Sequence, residues 1–304
     1  MPGIRVLNNL SLSKSSPMIC PRLQCDGLAL DLSHPRVMGV LNITPDSFSD
    51  GGRFYSGQKP DIDKALARAR VMVHEGADII DIGGESTRPG AAPLTPQQEL
   101  DRVIPVLEAI HKNLQVIISI DTSDPQVMLE AARAGSGMIN DVRALQRPGA
   151  LQAAAQSALP VCLMHMQGEP GTMQNEPEYR NVVEDVQQFL RTRIAACEAA
   201  GIKRSRLLID PGFGFGKSRV HNLHLLNQLD QLKTLGLPVL VGLSRKSMIG
   251  QTLGLPVEDR LYGSLALAVL AVERGAHIIR CHDVKATVDA VQMAAAVLEQ
   301  EANR

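Results

Sequence analysis

The chain has 304 residues, 44% of them hydrophobic and 21% charged, which is enough apolar sequence to bury a sizeable core. Its formal net charge is -1 at pH 7, so neither nucleic acid nor an anionic membrane surface is an expected partner. The five cysteines are odd in number and scattered, and no apolar run reaches the roughly 18 residues of a membrane span. Both features predict a soluble cytoplasmic protein with reduced thiols.

The first residues differ from the rest of the chain. Residues 1–17 contain Arg5 and Lys14 but neither an acidic residue nor a regular apolar pattern, so we predict a flexible extension there. No linker rich in Pro, Gly or Ser divides residues 18–304, which predicts a single folded domain. At its start, LQCDGLALDLSHP alternates apolar residues around Asp26 and Gly27, as is typical of a β-hairpin.

Eight short runs rich in Val, Ile and Leu then alternate with longer segments of helical periodicity. Continuous apolar runs of this kind are typical of parallel strands that helices cover on both faces. Eight such units predict one closed α/β barrel of the (β/α)8 type, with the N-terminal hairpin closing its floor; an open doubly wound sheet is the structural alternative. The runs are VMGVLN, ADIIDIGG, VIISIDT, GMINDV, PVCLMHM, RLLIDPG, PVLVGLSRK and HIIRCHD.

Several predicted helices have recognisable ends. Thr95, followed by a proline, is typical of an N-cap. Glycines stand where helix C-caps belong, at Gly76, Gly135, Gly201 and Gly275.

Polar side chains end every one of the eight runs. In a barrel of this type the chemistry lies at the C-terminal ends of the strands, so these positions are candidates for a site. A strand must leave the core somewhere, so a single polar residue at a strand end needs no functional explanation. A ring of eight polar strand ends does need one, because an unpaired buried polar group costs about 1–3 kcal/mol. The positions are Asn42, Asp81, Asp121, Asn140, His165, Asp210, Arg245 with Lys246, and Arg280 with His282.

The chemistry of these groups indicates two kinds of ligand. Asn42, Arg280 and His282 end the first and last strands, which are neighbours in a closed barrel, and such donors suit a phosphate or diphosphate. The acidic and amide groups suit a flat heterocycle, because a carboxylate accepts two parallel N–H bonds and an amide supplies one donor and one acceptor. The residues in this second set are Asp121, Asn140 and Asp210.

Two glycine-rich segments follow strands. DPGFGFGKS lacks the first glycine of a phosphate-binding loop, because Pro211 occupies that position. We expect instead a loop whose backbone approaches a ligand closely, with Phe213 and Phe215 as apolar faces. GGESTRPGAAP is predicted to be a long loop over the barrel mouth.

The order and length of these motifs resemble those of the dihydropteroate synthase family, the folate-pathway enzymes inhibited by sulfonamides. The resemblance covers roughly residues 22–300, with Cys281 and the short insertion GQKPD as modest departures. It implies a barrel, usually a homodimer, that joins p-aminobenzoate to 6-hydroxymethyl-7,8-dihydropterin diphosphate with release of pyrophosphate. The motifs that carry it are NITPDSFSDGG, DIGGESTRPGA, SIDT, IND, LMHMQG, LLIDPGFGFGK, GLSRKSMIG and IIRCHDV.

The same resemblance implies roles for individual residues. Catalysis would proceed by dissociative loss of the diphosphate, with Mg2+ as cofactor and Asn42 touching the metal. The implied catalytic residues are Asp121, Lys246, Arg280 and His282. The implied pterin-binding residues are Asp121, Asn140, Met164, Asp210, Phe215 and Lys246. The implied diphosphate-binding residues are Asn42, Arg280 and His282. The implied p-aminobenzoate-binding residues are Thr87, Arg88, Pro89, Phe215 and Ser247.

Three other functions remain open from the residues. Lys246 at a strand end would suit an aldolase that forms a Schiff base. A methyltetrahydrofolate-dependent methyltransferase shares a pterin-binding barrel, although it has no need for ESTRPG and SRKS. The third hypothesis is a pterin-binding relative without catalytic activity.

Overall fold

The structure is a computed structural model, and it describes residues 22–44, 55–56, 59–85, 94–168, 173 and 177–302. The predicted extension over residues 1–17 lies outside these ranges. Eight parallel strands form one sheet, in the spatial order β6-β5-β4-β3-β2-β1-β8-β7. They are β1 (Arg36–Asn42), β2 (Ile79–Gly83), β3 (Ile117–Asp121), β4 (Met138–Asp141), β5 (Val161–Met164), β6 (Leu207–Asp210), β7 (Leu240–Gly242) and β8 (Ile278–Cys281).

The two ends of this sheet meet and close the barrel. Ile209 of β6 forms a parallel bridge with Val239, and its N–H donates to the carbonyl oxygen of Pro238 at 3.0 Å. The predicted (β/α)8 barrel is therefore confirmed, and the open doubly wound sheet is wrong.

Helices surround the strands, and each strand is followed by at least one. They are α1 (Ile62–His74), α2 (Pro96–Asn113), α3 (Pro125–Arg133), α4 (Ala150–Ser157), α5 (Val182–Ala199), α6 (Arg219–Asn227), α7 (Ser247–Leu253), α8 (Leu261–Glu273) and α9 (Val284–Ala302). Helix α7 is an extra helix between β7 and α8. Short 3-10 segments lie at Arg204–Arg206, Leu229–Leu235 and Val257–Asp259, and Tyr55–Ser56 pairs antiparallel with Lys59–Pro60.

The predicted helix ends are confirmed. The Thr95 side chain accepts from the Gln98 N–H at 3.2 Å, and the Gln98 side chain accepts from the Thr95 N–H at 3.0 Å, which forms a capping box before α2. The four C-terminal glycines all have left-handed φ values, between 86° and 102°. No helix within the described ranges is both long and apolar enough to cross a membrane.

The N-terminal hairpin closes the barrel floor as predicted. Its strands Arg22–Cys25 and Leu28–Asp31 pair antiparallel around the turn at Asp26 and Gly27. Apolar hairpin side chains such as Leu23 and Leu30 join one cluster with the inward-facing residues Met38, Ile79, Ile117, Met138, Cys162, Leu208, Leu240 and Ile278. A larger cluster fills the space between the strands and the helices. The two ends of the barrel interior therefore differ. The N-terminal end is apolar and covered by the hairpin, and the polar groups lie above it, towards the C-terminal end.

Candidate active site

The polar layer begins one inward-facing position above the apolar floor. Side chains alternate along a strand, so the residue two positions after an inward-facing one also faces inward. On β2 the floor residue Ile79 is followed in this way by Asp81, whose side chain is fully buried. On β8 Ile278 is followed by Arg280. The oppositely charged side chains of Asp81 and Arg280 therefore lie at the same height inside the barrel.

Arg280 is the centre of this layer. Its Nε donates to Asp81 Oδ2 at 2.6 Å and its Nη2 donates to Asp121 Oδ2 at 2.8 Å. Asn140 Nδ2 also donates to Asp81 Oδ2, at 3.2 Å. Two buried acceptors, Asp81 Oδ1 and Asn140 Oδ1, have no hydrogen-bond partner in the described part of the chain. A buried acceptor without a partner is costly, so these oxygens mark a place where a ligand with N–H donors would fit.

Burial controls the charge states in this layer. Burial and the neighbouring Asp81 carboxylate raise the pKa of Asp121, while Arg280 opposes the rise. Burial by itself would lower the pKa of Arg280, but the Asp81 and Asp121 carboxylates outweigh it and raise that pKa. Arg280 therefore stays charged and favours the ionised form of Asp121.

Asp210 ends β6 beside Met164 of β5 in the parallel register. Burial raises the pKa of Asp210 to about 6, although the N–H of Gly212 donates to its Oδ1 at 2.7 Å and favours the ionised form. Lys246 also lowers the pKa of Asp210. Near neutral pH this carboxylate can accept N–H donors.

Lys246 lies between the β6 and β8 sides of the pocket. Its Nζ is 4.2 Å from the ring centroid of Phe215, a cation–π contact. Burial and the charge of Arg280 lower the pKa of Lys246 to about 8. The backbone of Gly214 (φ +78°) passes so close that a Cβ atom there would lie 3.1 Å from Lys246 Cδ. A glycine is needed at this position both for its conformation and for the space of the lysine.

Asn42 and Asp121 flank Gly83 at the top of three adjacent strands. Gly83 is in register with both residues. A Cβ atom on Gly83 would lie 3.4 Å from Asn42 Oδ1 and 3.7 Å from Asp121 Oδ2. Two side-chain oxygens therefore lie beside the space that the glycine leaves open.

His282 follows β8 and contacts the turn after β7. Its Nδ1 lies 3.0 Å from Ser244 Oγ, and its backbone N–H donates to the same Oγ at 3.2 Å. Burial, Arg280 and Arg245 lower the pKa of His282 to about 3, so the ring is neutral near pH 7. In the tautomer that leaves the other ring nitrogen available to a ligand as a donor, the Ser244 hydroxyl donates to Nδ1. The ring proton is then on Nε2, which leaves it as a donor.

Comparisons with known proteins identify the family of this chain. The sequence profile of the family described as pterin binding enzyme matches residues 38–282. The dihydropteroate synthase of Escherichia coli strain K12 is 54% identical over 283 residues, covering 93% of this chain and 99% of the relative. That of Haemophilus influenzae is 54% identical over 272 residues, covering 90% of this chain and 97% of the relative.

Solved structures give the same result. The Yersinia pestis dihydropteroate synthase in its sulfonamide drug complex superposes with a TM-score of 0.88 at 53% identity, covering 91% of this chain and 99% of that chain. The Xanthomonas albilineans dihydropteroate synthase with 4-aminobenzoic acid gives 0.84 at 51% identity, covering 91% and 98%. The chain belongs to the dihydropteroate synthase family. This membership argues against the two hypotheses that the chain belongs to an aldolase family or to a methyltransferase family.

The structure brings together most of the residues predicted for this family. Asn42, Asp121, Asn140, Met164, Asp210, Phe215, Lys246, Arg280 and His282 all lie at the C-terminal end of the barrel. Ser247 is the exposed first residue of α7, beside Lys246. Thr87, Arg88 and Pro89 lie outside the described residues, so their predicted contact with p-aminobenzoate stays a prediction.

One predicted strand-end residue, His165, has a structural partner instead of an open face. His165 is buried, and its Nδ1 lies 2.8 Å from the Nζ of Lys217. Lys217 also donates to the carbonyl oxygens of Gly212 at 2.9 Å and Phe215 at 3.1 Å. Its amine thus ties the β6–α6 loop to the end of β5 and fixes the position of Phe215. The sequence offered one signal, the incomplete phosphate-loop motif that contains Lys217, but the lysine points into the protein.

Proposed function

We propose that this dihydropteroate synthase family member condenses 6-hydroxymethyl-7,8-dihydropterin diphosphate with p-aminobenzoate to give 7,8-dihydropteroate and pyrophosphate. Family membership over nearly the whole chain supports this reaction. The structural observation that carries it is the buried layer of Asp81, Asp121, Asn140 and Arg280, in which two acceptor oxygens lack partners among the described residues.

The pterin would occupy the space above this layer. Its ring edge carries several N–H donors, which match the carboxylates of Asp121 and Asp210 and the free oxygen of Asn140. Lys246 and Phe215 would cover the ring from the β6 and β7 side, where they already contact each other. We propose Met164 as an apolar wall, since it is buried next to Asp210.

The diphosphate would bind between the ends of β1 and β8. His282 offers its Nε2–H, Asn42 its amide group and Arg280 its positive charge. In this arrangement Arg280 would be shared between the carboxylates of the pterin pocket and the leaving group. The predicted contact of Arg280 with the diphosphate is therefore an additional contact to the two ion pairs that the structure shows.

The residues at this position also fit Mg2+. This ion prefers oxygen ligands and is usually held by one or two protein oxygens together with substrate phosphates. Asn42 Oδ1 and Asp121 Oδ2 both lie beside Gly83. Within the described ranges no cluster of three His, Cys, Asp or Glu side chains suited to a metal occurs, so in this proposal substrate phosphate oxygens complete the coordination of the ion. When bound, Mg2+ would neutralise charge that develops on the departing diphosphate.

The chemistry we propose is mainly electrostatic. The bond between the exocyclic carbon and the diphosphate oxygen breaks, and its electron pair leaves with pyrophosphate. The carboxylates of Asp121 and Asp210 favour the positive charge that forms on the pterin, while Arg280 and His282 stabilise the leaving group. The amine nitrogen of p-aminobenzoate then forms the new C–N bond and loses a proton. No nucleophilic side chain is needed for these steps.

We further propose that the protein is a cytoplasmic homodimer. Helices α6, α7 and α8 present large exposed apolar residues, namely Val220, Leu253, Tyr262 and Leu270. Helices α7 and α8 are closely packed, because a Cβ atom on Gly263 would lie 2.4 Å from Ile249 Cγ2. We propose that the exposed apolar residues of these helices belong to one dimer face. A second copy of the chain would bury this face. Tyr262→Asp should shift sedimentation towards the monomer, whereas Val71→Asp, at an exposed apolar residue of α1, should not.

The experiment that tests the proposed reaction measures pyrophosphate release from the dihydropterin diphosphate with Mg2+, in the presence and absence of p-aminobenzoate. We expect rapid release that depends on both substrates. Release that is indifferent to p-aminobenzoate would support a hydrolase, and no release would favour the non-catalytic pterin-binding hypothesis. Borohydride treatment should leave the mass of the protein unchanged, because no Schiff base forms at Lys246.

A further inference from the structure

An ion pair joins the turn after β7 to the turn after β8. Arg245 Nη2 lies 2.5 Å from Asp283 Oδ1, and Arg245 Nε lies 3.0 Å from Asp283 Oδ2. The two parallel contacts form a bidentate pair, which fixes the relative orientation of both side chains as well as their distance. The sequence predicted Arg245 only as a polar strand end, and it predicted no role for Asp283.

Both residues of this pair are sequence neighbours of residues that we propose bind the substrate. Arg245 immediately precedes Lys246, and Asp283 immediately follows His282. The pair therefore connects the two backbone segments that carry a pterin-binding lysine and a diphosphate-binding histidine. Arg245 and Asp283 are 38 residues apart in sequence, so the connecting chain does not fix the distance between these two segments.

The backbone of Arg245 is held from the other side as well. Its N–H donates to Ser264 Oγ at 2.9 Å, and its carbonyl oxygen accepts from Arg260 Nη1 at 3.1 Å. Its φ angle is +56°, in the left-handed region that residues with a Cβ atom rarely adopt unless the surrounding structure holds them there. Residues at the start of α8 thus fix the backbone, and Asp283 fixes the guanidinium group.

Ser244 forms a second link between the same two turns. Its Oγ contacts both the backbone N–H and the Nδ1 of His282. This link orients the imidazole ring, whereas the Arg245–Asp283 pair sets the spacing between the two turns. The two links together leave His282 and Lys246 little freedom to move relative to each other.

We propose that Arg245 and Asp283 are positioning residues that hold Lys246 and His282 at the spacing required to bind the pterin and its diphosphate at once. Neither side chain contacts the substrate in this proposal. Because both ends of one substrate must be met simultaneously, a small change in the spacing weakens its binding and slows its reaction. The inference rests on the proposed function.

The test compares two Asp→Asn variants on the same helix or its edge. Asp283→Asn removes one partner of the proposed pair. Asp289→Asn removes the partner of Lys285, which it contacts at 2.5 and 2.7 Å on the exposed face of α9, and serves as the matched control. For Asp283→Asn we expect kcat/KM for the dihydropterin diphosphate to fall about 10- to 100-fold, as is typical when a residue that orients a functional group is lost. Asp289→Asn should retain wild-type kinetics.

Further variants distinguish positioning from general structural damage. Asp283→Glu keeps the charge and should recover part of the lost activity, and Arg245→Lys should behave like Asp283→Asn because lysine cannot form the bidentate pair. The double variant Arg245→Met with Asp283→Asn should be no worse than either single variant, since the two residues act as one unit. Melting temperatures measured alongside show that each variant is folded. If Asp283→Asn does not fold, Arg245→Lys takes its place with the same expected loss.

Two outcomes would contradict the inference. A folded Asp283→Asn or Arg245→Lys enzyme with wild-type kcat and KM would show that the pair does not position the site. Additive losses in the double variant would show that the two residues act separately. If instead the wild type and Asp289→Asn are both inactive with the two substrates, the proposed function itself has failed.

Discussion

Glu99 should make the stability of the fold depend on pH in an unusual direction. It lies in the first turn of α2 and is 3% exposed, and its Oε1 has no partner within the described residues. It packs against the end of β2, where a Cβ atom on Gly84 would lie 3.2 Å from Glu99 Cγ. Burial raises the pKa of Glu99 to about 7, a hydrogen bond with Thr122 lowers it, and the Glu85 carboxylate raises it further. The folded protein therefore binds a proton at Glu99 that the unfolded chain has already released.

The size of this effect follows from the two pKa values. The usual pKa is 4.5, and the gap to about 7 corresponds to about 3 kcal/mol, at about 1.4 kcal/mol for each tenfold change in acidity. Because the folded pKa is the higher one, the contribution of Glu99 to the free energy of unfolding decreases as pH rises from 4.5 to 7 and is constant above that window. Glu99→Gln removes the titration while keeping the shape of the side chain. The variant should gain up to about 3 kcal/mol over the wild type between pH 4.5 and pH 8.

Urea unfolding at several pH values between 4.5 and 8 measures this difference directly. Glu108→Gln, at an exposed position of the same helix, controls for the change of a carboxylate to an amide. We expect the difference between Glu99→Gln and the wild type to grow across the window, and the Glu108→Gln difference to stay small. A Glu99→Gln difference that is constant with pH would refute the argument from burial.

Three further predictions concern the site. Lys246→Ala should lose activity by about two orders of magnitude or more while its melting temperature stays close to wild type, because we propose that its charge contacts the pterin; near-normal turnover would remove this lysine from the mechanism. Excess EDTA should abolish turnover and added Mg2+ should restore it, so full activity in EDTA would exclude the metal. Calorimetric titration should show p-aminobenzoate binding weakly to the free protein and more tightly with pyrophosphate, Mg2+ and a pterin analogue present, since the first ligands order its site; equal affinities would mean that the second site is already formed.

The barrel could be predicted from the sequence because each of its strands is a continuous apolar run with a polar end. Local patterns were sufficient for this, since strand burial and helix caps depend on neighbouring residues. The polar ends of these runs also predicted correctly that Asp121, Asn140 and Asp210 lie at the mouth of the barrel. Thr95 and the helix-ending glycines were predictable for the same local reason.

Contacts between distant residues could not be predicted in this way. Arg280 contacts Asp81 across 199 residues of sequence, and this pairing places the guanidinium among the carboxylates at the C-terminal end of the barrel. Lys217 contacts His165 across 52 residues of sequence. The lysine of the incomplete phosphate-loop motif therefore has a structural role. The Arg245–Asp283 pair depends on the adjacency of β7 and β8. Each contact is set by the order of strands around the barrel, and no local pattern encodes which side chains will then meet.

The most direct test of the proposed function is the stoichiometry of a single reaction. Isotopically labelled p-aminobenzoate and the dihydropterin diphosphate are incubated with the protein and Mg2+, and labelled dihydropteroate and pyrophosphate are quantified together by mass spectrometry and an enzymatic assay. The proposed reaction predicts equal amounts of the two products at every time point. Pyrophosphate without labelled dihydropteroate, or neither product, would contradict it.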